Sequence, residues 1–182
     1  MRYFCTGGSL SKSRNVFCMR TVELLLNDEL DGAVREVWRR LAAAGLPSLA
    51  THTHPTNRPH LTLAAADDLP ELGPVLAPLP LSATLRGLVR FEGRVAMLAW
   101  RVTADPALRA LQERIWHALD GVPRSPLHQP DRWVPHVSLA RWPAPTLATR
   151  VLADLAPVTG WFVGARSYDS ETRTVTTLTS AR

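Results

Sequence analysis

The sequence predicts an α+β fold made of two duplicated β-α-β halves with pseudo-two-fold symmetry, in which antiparallel-rich sheets surround a central cleft and the helices lie outside. Strand-like and helix-like patterns alternate along the chain, and one segment recurs 76 residues later. The chain has 182 residues, 46% hydrophobic and 20% charged, which is typical of one folded domain and not of a disordered protein. No apolar run reaches the roughly 20 residues that cross a bilayer, so we expect no membrane association.

The first half of the chain has the pattern of a strand, a helix and further strands. Residues 21–26 (TVELLL) form a β-rich run, and Asn27 or Asp28 can cap the helix that follows. Apolar residues at helical spacing give this helix one buried face, and Gly45 and Pro47 end it. Further strands are predicted over residues 60–65, 82–92 and 94–103, with a tight turn at Glu92-Gly93 between the last two.

An internal repeat relates the two halves. Residues 21–65 match residues 97–141 without a gap, and a one-residue slip extends the likeness from 85–93 to 162–170. Neither half is long enough to bury a good core alone, so we predict one domain over 19–182 with half-repeats at about 21–96 and 97–180. Identical residues fall at Ala42/Ala118, Gly45/Gly121, Pro47/Pro123, His52/His128, Pro59/Pro135, His60/His136, Leu63/Leu139 and Ala64/Ala140.

Residues 1–18 differ in composition from the rest of the chain. They hold both cysteines, the only lysine and no acidic residue, so we expect a disordered or non-native leader with Met19 as the natural start. The remaining chain has no cysteine for a disulfide or a zinc-thiolate site, and we expect a cytoplasmic location. The net charge is +5, but residues 19–182 carry 18 basic and 16 acidic side chains, which gives little attraction for long nucleic acid.

The best-matched segments of the repeat each carry an imidazole and a hydroxyl. Side chains alternate along a strand, so His60 and Thr62 share one face, as do His136 and Ser138. If the pseudo-two-fold axis brings these strands together, both pairs face one cleft. A neutral imidazole can then take a proton from the attacking water while a protonated one gives a proton to the leaving oxygen, and the hydroxyls can bind phosphate oxygens. The pattern predicts hydrolysis of a phosphodiester without a metal ion.

The segments HLTL and HVSL resemble the paired motifs of the 2H phosphoesterase superfamily. Within that superfamily, the chain is similar to the 2'-5' RNA ligase-like family of bacterial RNA 2',3'-cyclic phosphodiesterases. The resemblance implies a bilobal α+β fold and cofactor-free hydrolysis of a 2',3'-cyclic phosphate to a 2'-phosphomonoester, with reversible 2'-5' ligation in some members. It implies RNA 3' ends or small nucleotide cyclic phosphates as partners, and we expect a monomer.

By motif position, the resemblance makes His60 and His136 the catalytic pair and Thr62 and Ser138 the phosphate-binding hydroxyls. Arg141, in HVSLAR, is the expected phosphate-binding arginine. On a regular strand Arg141 would face away from His136, so it must lie at or past the strand end. Ser138 stands where the family usually has threonine. The missing methyl leaves its hydroxyl less restrained, so we expect an effect on catalytic efficiency more than on the type of reaction.

Further substrate contacts are expected from Arg58, His52 and Trp133, and Trp133 could stack on a base. Two alternatives stay open. One is an RNA-end binding module that has kept the cleft but lost turnover, which the serine at position 138 would indicate. A metal-dependent hydrolase could use His52 and His54, although no carboxylate or cysteine lies near them in the sequence.

Overall fold

The computed structural model describes residues 19–92, 96–141 and 145–180, so the leader at 1–18 and Gly93 of the predicted turn lie outside it. Every predicted strand is found within three residues of its expected bounds. No helix in these ranges is both long enough and apolar enough to span a membrane. The elements are β1 (Arg20–Leu26), α1 (Asp28–Ala43), β2 (His60–Ala66), α2 (Gly73–Leu76), β3 (Leu81–Phe91), β4 (Met97–Val102), α3 (Pro106–Ala118), β5 (His136–Arg141), α4 (Pro145–Val151), β6 (Val158–Asp169) and β7 (Thr174–Ser180), with short 3-10 turns at Leu49–Thr51 and Pro126–His128.

The described strands form one antiparallel sheet in the order β1-β2-β5-β4-β3-β6-β7. Because β1 also pairs with β6, all strands except β7 close into a ring. The predicted α+β fold with antiparallel strands is confirmed, although the strands join a single sheet. The ring has a two-fold pattern. If β1, β2 and β3 change places with β4, β5 and β6, respectively, every pair of neighbouring strands is again a pair of neighbours.

Helices α1 and α3 each pack one apolar face into the core. The N-cap of α1 is Asn27, as predicted, but its side chain has another partner: Oδ1 accepts the backbone N–H of Trp161 in β6 at 3.1 Å. Gly160 makes this approach possible, since a Cβ there would lie 2.6 Å from Asn27 Oδ1. The buried stripes are Leu30, Val34, Val37 and Leu41 in α1, and Leu108, Leu111 and Ile115 in α3.

A β-bulge interrupts both motif strands at matched positions of the repeat. The extra residue is Leu63 in β2 and Leu139 in β5, and each is buried together with the alanine that follows it. A bulge reverses the alternation of side chains beyond it. Arg141 therefore lies on the face that carries His136 and Ser138, where a regular strand would have turned it away.

Candidate functional site

The two motifs lie side by side on β2 and β5, which are antiparallel neighbours. Leu61 of β2 pairs with Val137 of β5. In this antiparallel register His60 lies opposite Ser138, and Thr62 lies opposite His136. All four side chains are half-buried on one face. The opposite face carries the fully buried Leu61, Leu63, Val137 and Leu139. The fold thus brings together the four side chains that the sequence predicted.

The same backbone contact orients both histidines. Nδ1 of His60 lies 2.7 Å from the carbonyl oxygen of Arg58, and Nδ1 of His136 lies 2.7 Å from that of Val134. A carbonyl oxygen only accepts hydrogen bonds, so each Nδ1 carries a proton. Each Nε2 is then left to exchange protons with a substrate or water.

His136 packs against an aromatic side chain. The ring of Phe91 is 4.5 Å from its imidazole, centroid to centroid. Burial lowers the pKa of His136, the hydrogen bond to Val134 opposes this, and the charge of His60 adds to the lowering. Burial, with the charge of His136, also lowers the pKa of the neighbouring His128 to about 4. Both shifts favour the neutral form of the imidazole.

His60 faces a buried ion pair. Its Nε2 lies 3.5 Å from Oε1 of Glu23, which also accepts a hydrogen bond from the Thr21 hydroxyl at 2.7 Å. The other oxygen, Oε2, accepts from Nε of Arg166 at 2.7 Å. Glu23 is 3% exposed and Arg166 is 8% exposed, so the carboxylate is held in position. It forms an ion pair with His60 whenever that imidazole is protonated.

This ion pair has no counterpart in the second half. The residue 76 positions after Glu23 is Ala99. Where Glu23 pairs with Arg166 across β1 and β6, Ala99 pairs with Val89 across β4 and β3. Within the described ranges, His136 has no acidic partner within 4 Å. The two motif histidines, alike in backbone geometry, therefore differ in their electrostatic surroundings.

A cleft of about 430 Å³ opens in front of His60. Of the other predicted residues, Ser138, Arg141, Arg58 and His52 line it. Thr62 and His136 share the motif face but are not among the lining residues. The remaining lining residues are Glu23, Leu49, His54, Thr56, Asn57, Arg166, Tyr168 and Arg173.

Four charged or aromatic lining residues were missed by the sequence reasoning: Glu23, Arg166, Tyr168 and Arg173. Glu23 could have been found, because it is a lone acid in an apolar strand and its repeat partner is alanine. Arg166 and Tyr168 alternate along β6, but their contact with the motif depends on the pairing of β6 with β1. Arg173 lies in the turn after β6 and carries no sequence signal of this kind.

Trp133 does not line the cleft, and the expectation that it stacks on a base needs correction. It is 7% exposed, and its indole Nε1 donates to the backbone carbonyl of Thr62 at 2.9 Å. Trp38 of α1, 2% exposed, donates in the same way to the carbonyl of Ser138 at 3.0 Å. Each tryptophan belongs to one half of the chain and binds the motif strand of the other. Trp133 is thus a positioning residue.

The histidine-rich loop contributes to the wall of the cleft. His52 and His54 both line it, and Nδ1 of His54 lies 2.8 Å from the Thr56 hydroxyl. In the part of the chain that the structure describes, no three His, Cys, Asp or Glu side chains are grouped as a metal ion would need. The geometry of this loop therefore adds nothing to the metal-dependent alternative.

Fold and cleft together define a class: an α+β protein whose antiparallel sheet carries two histidine-hydroxyl motifs on neighbouring strands. The model of the 2'-5' RNA ligase superfamily matches residues 38–178, and the chain belongs to that superfamily. The resemblance inferred from the motifs is therefore confirmed. No curated protein matches the chain.

Among solved structures, the chain is similar to Usb1 of Kluyveromyces marxianus. The identity is 14%, the match covers 90% of this chain and 98% of that chain, and the TM-score is 0.52. A structure of the same protein with uridine monophosphate matches with the same coverage, at 13% identity and a TM-score of 0.50. At such low identity the likeness concerns the fold.

Proposed function

We propose that this chain is a phosphodiesterase that hydrolyses 2',3'-cyclic phosphates, on RNA 3' ends or small nucleotides, to 2'-phosphomonoesters without a metal ion. The observation that carries the proposal is the matched geometry of His60 and His136, each with Nδ1 bound to a carbonyl and each beside a hydroxyl. Membership of the 2'-5' RNA ligase superfamily supports it. Joining of RNA ends through a 2'-5' bond would use the same site, with the 5'-hydroxyl of a second RNA end attacking the cyclic phosphate in place of water.

The unequal surroundings of the two histidines support one assignment of roles. His60 has the Glu23 carboxylate 3.5 Å from its Nε2, which can form an ion pair with the protonated imidazole that the general-acid role requires. His136 is half-buried against Phe91 with a lowered pKa, which suits a neutral general base. The two proton-transfer roles therefore go to different halves of the chain.

The reaction follows from these roles. Nε2 of His136 takes a proton from water as the water oxygen bonds to phosphorus. The bond from phosphorus to O3' breaks, and Nε2 of His60 gives its proton to O3'. The products are a 2'-phosphomonoester and a 3'-hydroxyl, with His136 protonated and His60 neutral. Proton exchange with solvent restores the starting state.

The remaining motif residues are suited to hold the phosphate. The hydroxyls of Thr62 and Ser138 can donate to the non-bridging oxygens, where negative charge builds up in the transition state. Arg141 lines the cleft on the same face and supplies a full positive charge. Thr62 and Ser138 come from opposite halves, so both halves contribute to one site.

We further propose that the halves, residues 21–96 and 97–180, are duplicates related by a pseudo-two-fold axis. Three matched features support this: the unchanged ring order after exchange, the bulges at Leu63 and Leu139, and the paired Nδ1 contacts. Superposition of the halves should then align His60 with His136. Failure of the motif strands to superpose would contradict the duplication.

The deciding experiment is hydrolysis of a nucleoside 2',3'-cyclic phosphate with EDTA present. His60→Ala and His136→Ala should each abolish turnover, EDTA should have no effect, and the product should be the 2'-phosphate. His117→Ala is the matched control, because His117 lies on α3 with its side chain 73% exposed. Turnover that survives either motif substitution, or that EDTA stops, would overturn the proposal.

A second candidate is a binding module for phosphorylated RNA ends without turnover. One contact favours it: the Ser138 hydroxyl lies 3.2 Å from the sulfur of Met97 and lacks the methyl that would hold a threonine rotamer. This candidate predicts binding of a 2'-phosphorylated oligonucleotide by a wild-type protein that hydrolyses nothing. Gain of turnover in Ser138→Thr would identify this serine as the cause.

A further inference from the structure

The cleft contains more positive charge than one phosphate needs. Four arginines line it, Arg58, Arg141, Arg166 and Arg173, against one carboxylate, Glu23. Arg166 is paired with Glu23 at 2.7 Å, and Arg58 with an aspartate of α1 at 3.2 Å. In the described ranges, neither Arg141 nor Arg173 has an acidic partner within 4 Å. With Arg141 assigned to the scissile phosphate, Arg173 is left as a second unmatched cation.

Arg173 reaches the cleft beside a strand that the first half lacks among its described residues. It lies in the turn between β6 and β7, whereas β3, the counterpart of β6, leads directly to β4 of the second half. Along β6, Arg166 and Tyr168 are two residues apart, so they share a face, and both line the cleft. At about 3.3 Å per residue, the strand extends this row roughly 10 Å from Arg166 to the turn. The added hairpin thus lengthens the cleft away from the ion pair.

The backbone conformation at position 173 gives no reason for an arginine. Its φ is +59°, in the left-handed region that glycine and asparagine adopt more easily. The turn is ordered by Asp169, whose carboxylate accepts the backbone N–H groups of Glu171 at 2.8 Å and Thr172 at 3.1 Å. These contacts concern the backbone of the turn and leave the guanidinium of Arg173 to serve the cleft.

We propose that Arg173 binds a second phosphate of the substrate, so that the preferred substrates are nucleotide cyclic phosphates with at least one further phosphate. This inference rests on the proposed function and narrows its substrate class. The second phosphate is either the internucleotide phosphate of an RNA 3' end or the 5'-phosphate of a mononucleotide. Both present the same oxygens to a guanidinium.

The test compares a nucleoside 2',3'-cyclic phosphate, its 5'-phosphorylated form and a dinucleotide that ends in a cyclic phosphate. Arg173→Gln should raise KM about tenfold for the substrates that carry two phosphates and leave the one-phosphate substrate unchanged. Arg114→Gln, at an exposed position of α3 outside the cleft, is the matched control. Arg173→Gly should lose the same preference while raising Tm, because it relaxes the positive φ.

The two-phosphate substrates separate the sources of the phosphate. An effect confined to the dinucleotide identifies the RNA backbone, and one confined to the 5'-phosphorylated nucleotide identifies a mononucleotide. Equal KM changes on all three substrates, or no change on either two-phosphate substrate, would overturn the inference.

Failure of the proposed function would be seen separately, as lack of turnover of every substrate by the wild type. The second-phosphate site would then be tested by calorimetry, which compares the affinities for a nucleoside 2'-monophosphate and a nucleoside 2',5'-bisphosphate. Tighter binding of the bisphosphate that Arg173→Gln abolishes supports a second-phosphate site. Equal binding of the two nucleotides by the wild type refutes it.

Discussion

Replacing Glu23 with glutamine removes the charge beside His60 and keeps the shape of the side chain. Two unit charges 3.5 Å apart attract by about 1 kcal/mol in water and about 5 kcal/mol at an effective dielectric of 20. The His60 side chain is 32% exposed and Arg166 shares the carboxylate, so the lower figure applies. We expect kcat/KM to fall by up to about fivefold, because the protonated imidazole of the general acid loses roughly 1 kcal/mol of this attraction.

The assay is kcat/KM on a nucleoside 2',3'-cyclic phosphate, measured for the wild type and Glu23→Gln at one pH and then along the acidic limb of the pH profile. The acidic limb reports the general base, His136, whose pKa is lowered by burial, and this limb should stay in place. An unchanged kcat/KM in Glu23→Gln, or a displaced acidic limb, would refute the assigned roles.

A matched double variant keeps this test independent of folding. Glu23→Gln leaves Arg166 buried beside a neutral partner, and breaking a buried ion pair can cost about 3–5 kcal/mol. The double variant Glu23→Ala with Arg166→Val removes both charges and introduces the residues found at Ala99 and Val89. It should be as stable as the wild type by thermal unfolding and as slow as Glu23→Gln. A double variant that is stable and fully active would show that the carboxylate has no part in catalysis.

Two stability predictions follow from the same contacts. Folding lowers the pKa of His128 from 6.5 to about 4, so between these values only the unfolded chain binds the proton and stability falls with falling pH, by at most about 3 kcal/mol. In urea unfolding, His128→Gln should remove this part of the pH dependence of the unfolding free energy, and the variant of the exposed His117, His117→Gln, should keep it. An unchanged pH dependence in His128→Gln would contradict the assignment. Trp133→Phe should cost about 1–3 kcal/mol in urea unfolding, because the Thr62 carbonyl loses its donor. The control is Trp116→Phe, because Trp116 lies on α3 and its indole makes no such contact to a motif strand. An equal loss of unfolding free energy in the two variants would show that the Trp133 contact does not hold the motif strand.

The structure explains why some residues were correctly located from sequence and others were not. Strand alternation is local, so His60 and Thr62 could be assigned one face without knowledge of the fold. Arg141 could not, because the bulge at Leu139 depends on how β5 pairs with β4. Trp133 was misjudged because an aromatic residue beside a motif has the same local pattern whether it stacks on a ligand or donates to the carbonyl of another strand.

The sequence by itself determined the likeness of residues 21–65 to residues 97–141, the faces of the motif strands and the pairing of an imidazole with a hydroxyl in each segment. These follow from spacing over a few residues and from likeness between two segments. Only the tertiary structure decided what distinguishes the halves. Glu23 and Arg166 lie 143 positions apart in the chain and meet because β1 pairs with β6. Arg173 joins the cleft through the hairpin of β6 and β7, and β7 has no counterpart among the described strands of the first half. Contacts of this kind depend on strand order and register, and no local pattern in the sequence encodes them.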